Sequence, residues 1–110
     1  MKKTPTKVKE VITALSNLLT EQYKKTLKQC DEEDLITYHD TLGRTIRNEF
    51  GLWQGNVTLL KDCLRIQRTK YRSDYDYCKK FYQQNNLKIK RIHPDDASMV
   101  IIREFKRKLK

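Results

Sequence analysis

Cysteine is scarce: Cys30, Cys63 and Cys78 are the three in a chain of 110 residues, and no two stand in CxxC spacing. An odd number without that spacing fits neither a disulfide framework nor a zinc knuckle, so no metal or other cofactor is expected. The same scarcity suits a reducing compartment and predicts a cytoplasmic protein. No run approaches the roughly 18 apolar residues of a membrane span. The first apolar stretch, Val11 to Leu19, is broken by Thr13, Ser16 and Asn17, unlike a signal-peptide core. Also missing are GxSxG, a Walker glycine loop and HExxH, and neither Ser98 nor Cys63 stands in a recognisable motif. A non-enzymatic role is therefore expected. The residual catalytic reading is a nuclease-like acid and base pair from His39 and His93, with cations supporting the developing charge. There is no internal repeat and no low-complexity linker, and the length suits a single domain over residues 1–110.

What the chain has in abundance is charge. Hydrophobic residues make up 37% and charged residues 35%, a lean mixture that favours a helical domain with wide solvated faces. Twenty-four lysines and arginines against 14 acids give +10, which biases the chain toward nucleic acid, nucleotides or an acidic protein. The charge is uneven along the sequence: +5 over residues 1–30, −4 over 31–60, +7 over 61–92 and +2 over 93–110.

Apolar periodicity predicts helices throughout. Val8, Val11, Ile12, Leu15, Leu18 and Leu19 recur at three- and four-residue spacing and define a first helix over about 6–19, with Thr4 or Thr6 able to cap it and Pro5 at its start. Thr20, Glu21, Tyr23 and Leu27 suggest a short second helix ending before the acids Asp31 to Asp34. A third opens on those acids and closes at Gly51, with Leu35, Tyr38, Leu42 and Ile46 on its stripe. Gly43 inside that stripe suggests a close helix crossing or a ligand against the backbone. Asn56 can cap a long helix from Val57 to about Gln84, interrupted at most at Ser73 and Asp74, with Leu60, Leu64, Tyr71, Tyr75, Cys78 and Tyr82 near one line. Asn85 and Asn86 end it, Leu87 to Ile92 alternate weakly as an extended piece, and the last helix starts in His93-Pro94-Asp95-Asp96 and runs through the apolar Met99, Val100, Ile102, Phe105 and Leu109. The expected architecture is all-α, a compact bundle of about five helices with short loops.

The blocks LITYHDTLGRTIRNEFGLWQGNVTLLKDC and IHPDDASMVIIREFKRKL resemble a family of small bacterial proteins classed as a domain of unknown function. Its pattern is met here by His39, Leu42-Gly43, Ile46-Arg47-Asn48, Gly51-Leu52-Trp53 and His93-Pro94-Asp95-Asp96, over about half of the chain. The stretch from about 65 to 90, basic and rich in tyrosine, looks like an insertion between the two blocks. The resemblance implies the helical fold and contributes little chemistry. The insertion is then where this member's particular function is expected.

Two groups of residues are candidates for binding. His39, Arg47, Asn48, Trp53, His93, Asp95 and Asp96 are polar types suited to one cleft, where Arg47 would offer an anion a bidentate fork. The competing reading is a buried bracket in which Arg47 pairs with Asp95 or Asp96 and ties the last helix to the central one. In the insertion, Arg65, Arg68, Arg72 and Lys79 interleave with Tyr71, Tyr75, Tyr77, Phe81 and Tyr82, so that cations could follow phosphates while rings stack on bases. Equally, those tyrosines are core and the cations a solvated face whose stems cover the seam. The function expected from this balance is a small interaction protein of immunity, antitoxin or phage anti-defence type that neutralises an acidic partner through the insertion. The alternative is direct binding of nucleic acid or a nucleotide by the same helix. Trp53 and the tyrosine stripe would also serve as anchors of a homodimer.

Overall fold

The computed structural model describes residues 4–84 and 92–109. Among them are seven helical segments and no strand, so the all-α class stands while the expected count of about five is too low. In order they are α1 (Val8–Leu18), α2 (Glu21–Gln29), a 3-10 helix (Glu32–Tyr38), α3 (Leu42–Glu49), α4 (Val57–Lys70), α5 (Arg72–Gln84) and α6 (Pro94–Lys108). None is long and apolar enough to cross a membrane. The extended piece expected over 87–92 lies outside the described residues except for Ile92, which is buried.

Both additional segments come from breaks inside stretches expected to be continuous. The expected third helix divides at 39–41. Thr37 Oγ1 donates back to Asp34 O at 2.7 Å and Thr41 Oγ1 to Tyr38 O at 3.4 Å, the local bonding by which threonine competes with regular helix. Thr41 leaves helical geometry at φ −109°, ψ −87°. The expected long helix likewise divides at Tyr71, at φ −124°, ψ 55°, two residues before the anticipated interruption. There Thr69 Oγ1 donates to Arg65 O and Ile66 O, and the Tyr71 ring is held by Arg103 and Arg107 of α6, 5.2 and 5.4 Å from its centre.

The centre of the molecule is α6, which packs against α1, α2, the 3-10 helix, α3 and α4. Ala97, Ser98, Val100, Ile101, Ile102, Glu104 and Phe105 are all buried along it, more than one face of a helix, as expected of an element surrounded by others. Pro94 occupies its first turn and His93 caps it, Nδ1 accepting from the Asp95 N–H at 3.0 Å. Around α6 the apolar stripes of the other helices close the core with Val8, Val11, Leu15, Leu27, Leu35, Leu42, Ile46, Leu59 and Cys63. By contrast, none of the described side chains over 72–80 on α5 is buried.

The start of α1 is capped from a distance. Neither Thr4 nor Thr6 takes the cap position, which is Lys7 and has no side-chain bond. Asp62 of α4 instead accepts the Val8 N–H on Oδ2 at 2.8 Å, while its Oδ1 holds Arg65. One carboxylate thus satisfies an orphan amide, complements the α1 dipole and ties two helices together. Asp62→Ala is expected to cost about 1–2 kcal/mol, the range for a lost helix cap, read as a lower urea midpoint with an unchanged slope.

Candidate functional site

A cleft of about 610 Å³ opens between the 3-10 helix, α5 and α6. Its walls follow from helical spacing. On α6, Asp96, Met99, Val100 and Arg103 stand at i, i+3, i+4 and i+7 and form one face. On α5, Asp74, Tyr77 and Cys78 stand at i, i+3 and i+4. From the 3-10 helix Glu32, Glu33 and Ile36 reach the cleft, Glu33 and Ile36 one above the other at i, i+3, while Leu35 is buried in the core. Gln67 of α4 and His93 complete the lining. Ile36 and Tyr77 are 63% and 75% exposed, large apolar groups left in water at this site.

The cleft is acidic although the protein is strongly basic. Arg103, its cation, is ion-paired with Asp74 and lies over the Tyr71 ring, which joins α5 to α6. Among the described residues no lysine or arginine pairs with Glu32, Glu33 or Asp96. Burial raises the Asp96 carboxyl above the usual carboxylate range; His93 opposes that shift and Asp95 adds to it. Cys78 Sγ lies 3.9 Å from Asp96 Oδ2, and its thiol is raised by burial and then by Asp96 and Asp74, so it is a poor nucleophile. Gln67 is 3% exposed, and its Oε1 has no hydrogen-bond partner among the described residues.

A carboxyl whose folded pKa lies above its unfolded value favours the fold while protonated. That contribution is complete below the ordinary aspartate pKa and is lost as pH rises through the folded value. Asp96→Asn is therefore expected to raise the melting temperature at pH 7 and to lose that advantage near pH 3, measured by thermal melts across the range. An unchanged melting temperature at both pH values would show that Asp96 carries no such strain.

The residues expected from sequence are divided among several places. Arg47 is 7% exposed and fully engaged: Nη1 donates to Ser98 Oγ at 3.0 Å, Nη2 to the His39 carbonyl at 3.1 Å, and Nε lies 3.5 Å from Asp95 Oδ1. It joins α3 to α6 as a bracket. His39 contributes its backbone carbonyl to this bracket, while its own Nδ1 is buried without a partner. Asn48 is exposed. Trp53, 56% exposed, packs edge-on against His93 at 5.3 Å. Of this group, His93 and Asp96 alone line the cleft.

The tyrosine and cation group is split by the break at Tyr71. Arg65 forks onto Asp62 at 2.9 and 3.1 Å and faces a second groove of about 460 Å³ with Lys7, Lys9, Lys70 and Lys108. Tyr71 is half-buried under the two α6 arginines, and Arg72 pairs with Asp76 at 3.2 Å while covering the Tyr75 ring. Arg68 and Lys79 are exposed, and the side chains of Phe81 and Tyr82 lie outside the described residues. Sequence reasoning missed Glu32, Glu33, Ile36, Gln67, Asp74, Tyr77, Met99, Val100 and Arg103 as one surface. The available signal was the i, i+3, i+4, i+7 run on α6, which mixes acid, apolar and basic residues and so does not read as a core stripe.

A family model described as a domain of unknown function (DUF6794) matches residues 4–76. The matched stretch contains the block from His39 to Trp53 and residues 65–76 of the expected insertion, and it stops before His93-Pro94-Asp95-Asp96 and α6. No curated protein and no solved structure matches the chain.

Proposed function

Because the chain belongs to the DUF6794 family, whose description assigns no activity, we propose a function from the cleft itself: a non-enzymatic interaction protein that docks a segment of a partner protein there. The observation that carries this reading is the pairing of exposed Ile36 and Tyr77 with an apolar wall of Met99 and Val100 inside a carboxylate rim. Exposed aromatic and aliphatic anchors beside a concave surface suit protein recognition, while carboxylates repel a phosphate backbone. An inhibitor of immunity or antitoxin type is one form such a protein takes. In that form the exposed cations Arg65, Arg68 and Lys79 would supply contacts outside the cleft.

Direct nucleic-acid or nucleotide binding is favoured by the overall +10 charge and by exposed Arg68 and Lys79, but Arg65 and Arg72 already answer to Asp62 and Asp76. Two measurements separate the readings. A photo-reactive phenylalanine at Tyr77 should give one discrete protein adduct in cells, absent when it is placed at Lys9 and lost on Ile36→Glu. Anisotropy titrations of single-stranded RNA, single-stranded DNA and duplex at two salt concentrations should show only weak binding that Arg65, Arg68 and Arg72 changed together to Glu leave unaltered. Tight nucleic-acid binding abolished by that triple change would overturn the proposal.

A further inference from the structure

The chemistry of the cleft narrows what kind of segment it accepts. Resting on the docking reading above, we propose that the cleft takes a lysine- or arginine-bearing segment. The cationic head would lie among Glu32, Glu33 and Asp96, and the aliphatic stem along Ile36, Met99 and Tyr77.

Three observations carry this independently of one another. The first is charge: Arg103 is paired with Asp74, and among the described residues no lysine or arginine answers the carboxylates of Glu32, Glu33 and Asp96 at the rim. The second is the Gln67 Oε1 in the wall of the same cleft, a buried acceptor without a donor among the described residues. Native structures rarely leave such an acceptor unpaired, and an ammonium or guanidinium head brings three to five N–H donors to a site that has acceptors in surplus. The third is the Tyr77 ring, 75% exposed at the rim, whose face attracts a cation and whose edge covers an alkyl stem.

The field of the whole molecule sharpens the selection. A chain of net charge +10 repels polycations at long range, so the local acid rim favours a segment with one or two cations set among apolar residues. An acidic segment would be drawn by the total charge and then rejected by the carboxylates at the cleft. Attraction and repulsion thus act on different partners, which is how discrimination is built.

The test uses the full chain and small probes, which avoids any need to know the partner's sequence. N-acetyl-arginine amide, its neutral isostere N-acetyl-citrulline amide and N-acetyl-glutamate amide are titrated to about 50 mM while amide shifts are followed by NMR, the concentration being set by the weak affinity of a single side chain. The expected result is a saturable shift with the arginine probe at Ile36, Tyr77 and the Gln67 side-chain amide, with citrulline at least fivefold weaker. The double variant Glu32→Gln, Glu33→Gln should lose that difference; both positions are exposed, so its backbone spectrum should otherwise match the parent. Equal binding of arginine and citrulline overturns the cation preference, and a glutamate preference reverses it in favour of an acidic partner. Absence of any saturable shift at the cleft overturns the inference outright. In each case the Tyr77 cross-link separately decides whether the cleft docks a protein. A concentration-dependent dimer that the double variant disperses would replace the partner segment by a second copy of this chain.

Discussion

A chain that ends at residue 91, without α6, is expected to lose its tertiary structure altogether: no cooperative thermal transition, a collapsed amide spectrum and greatly reduced helicity. The same outcome is expected for residues 4–76, the stretch that the family model matches. In the folded protein Val100, Ile101, Ile102 and Phe105 are each at most 2% exposed, on the helix that packs against α1, α2, the 3-10 helix, α3 and α4. Burying four such side chains is worth about 1.5–3 kcal/mol apiece, which together rivals the whole 5–15 kcal/mol margin of a typical domain. The remaining helices cannot compensate for that loss. They span 7 to 14 residues, too short to persist in water without an apolar partner. Circular dichroism and a two-dimensional amide spectrum of the two truncated chains measure this directly. A cooperative melt from either would show that the core is built from the N-terminal helices alone.

That dependence explains which parts of the architecture could be read from residues in order. The periodicity of α1 puts Val8, Val11 and Leu15 in the core as expected, although Leu18 of the same expected stripe is 58% exposed, and Asn56 caps α4 where composition places it. The position of each break was not legible, because the local threonine bonding that loosens the helix acts together with contacts from elsewhere in the chain. The interruption at Tyr71 depends on two arginines more than 30 positions away, and the one at 39–41 leaves the His39 carbonyl to be used by Arg47. The cleft was hidden for a related reason. Glu32 and Glu33 read as N-terminal helix charges, Tyr77 as part of a basic tyrosine stripe and Met99 as core, and only the packing of α6 brings them to one surface. What composition did reveal was the sign of the block over 31–60, −4 in a chain of +10, and it is from this block that the carboxylates Glu32 and Glu33 come.

Arg47→Ala is expected to destabilise the fold by about 3 kcal/mol, the scale of a broken buried network. The change leaves the His39 carbonyl without its donor, Asp95 without its cation and a hole between α3 and α6 where the guanidinium lay. Asp95 is itself partly solvated, so most of the loss comes from the unsatisfied carbonyl and the cavity, and less from the ion pair. Gly43 belongs to the same device. A Cβ there would stand 2.9 Å from Arg47 Nη1, 3.3 Å from the Tyr38 carbonyl and 3.4 Å from Ser98 Oγ. The guanidinium is the far end of a flexible side chain, but three bonds hold it, so Gly43→Ala forces it off at least one of them. The usual gain of about 1 kcal/mol from alanine in a helix is then outweighed by a loss of about 1–3 kcal/mol from overpacking. If the two positions act as one bracket, their effects cannot add. Once Arg47 is alanine the shortest of these contacts is gone, so Gly43→Ala should cost much less in the Arg47→Ala background than alone, with a coupling of at least about 1 kcal/mol in a double-mutant cycle by urea unfolding. Additive effects would mean that Gly43 answers to the Tyr38 backbone, and that the small residue is required by the chain reversal before α3 and not by the arginine.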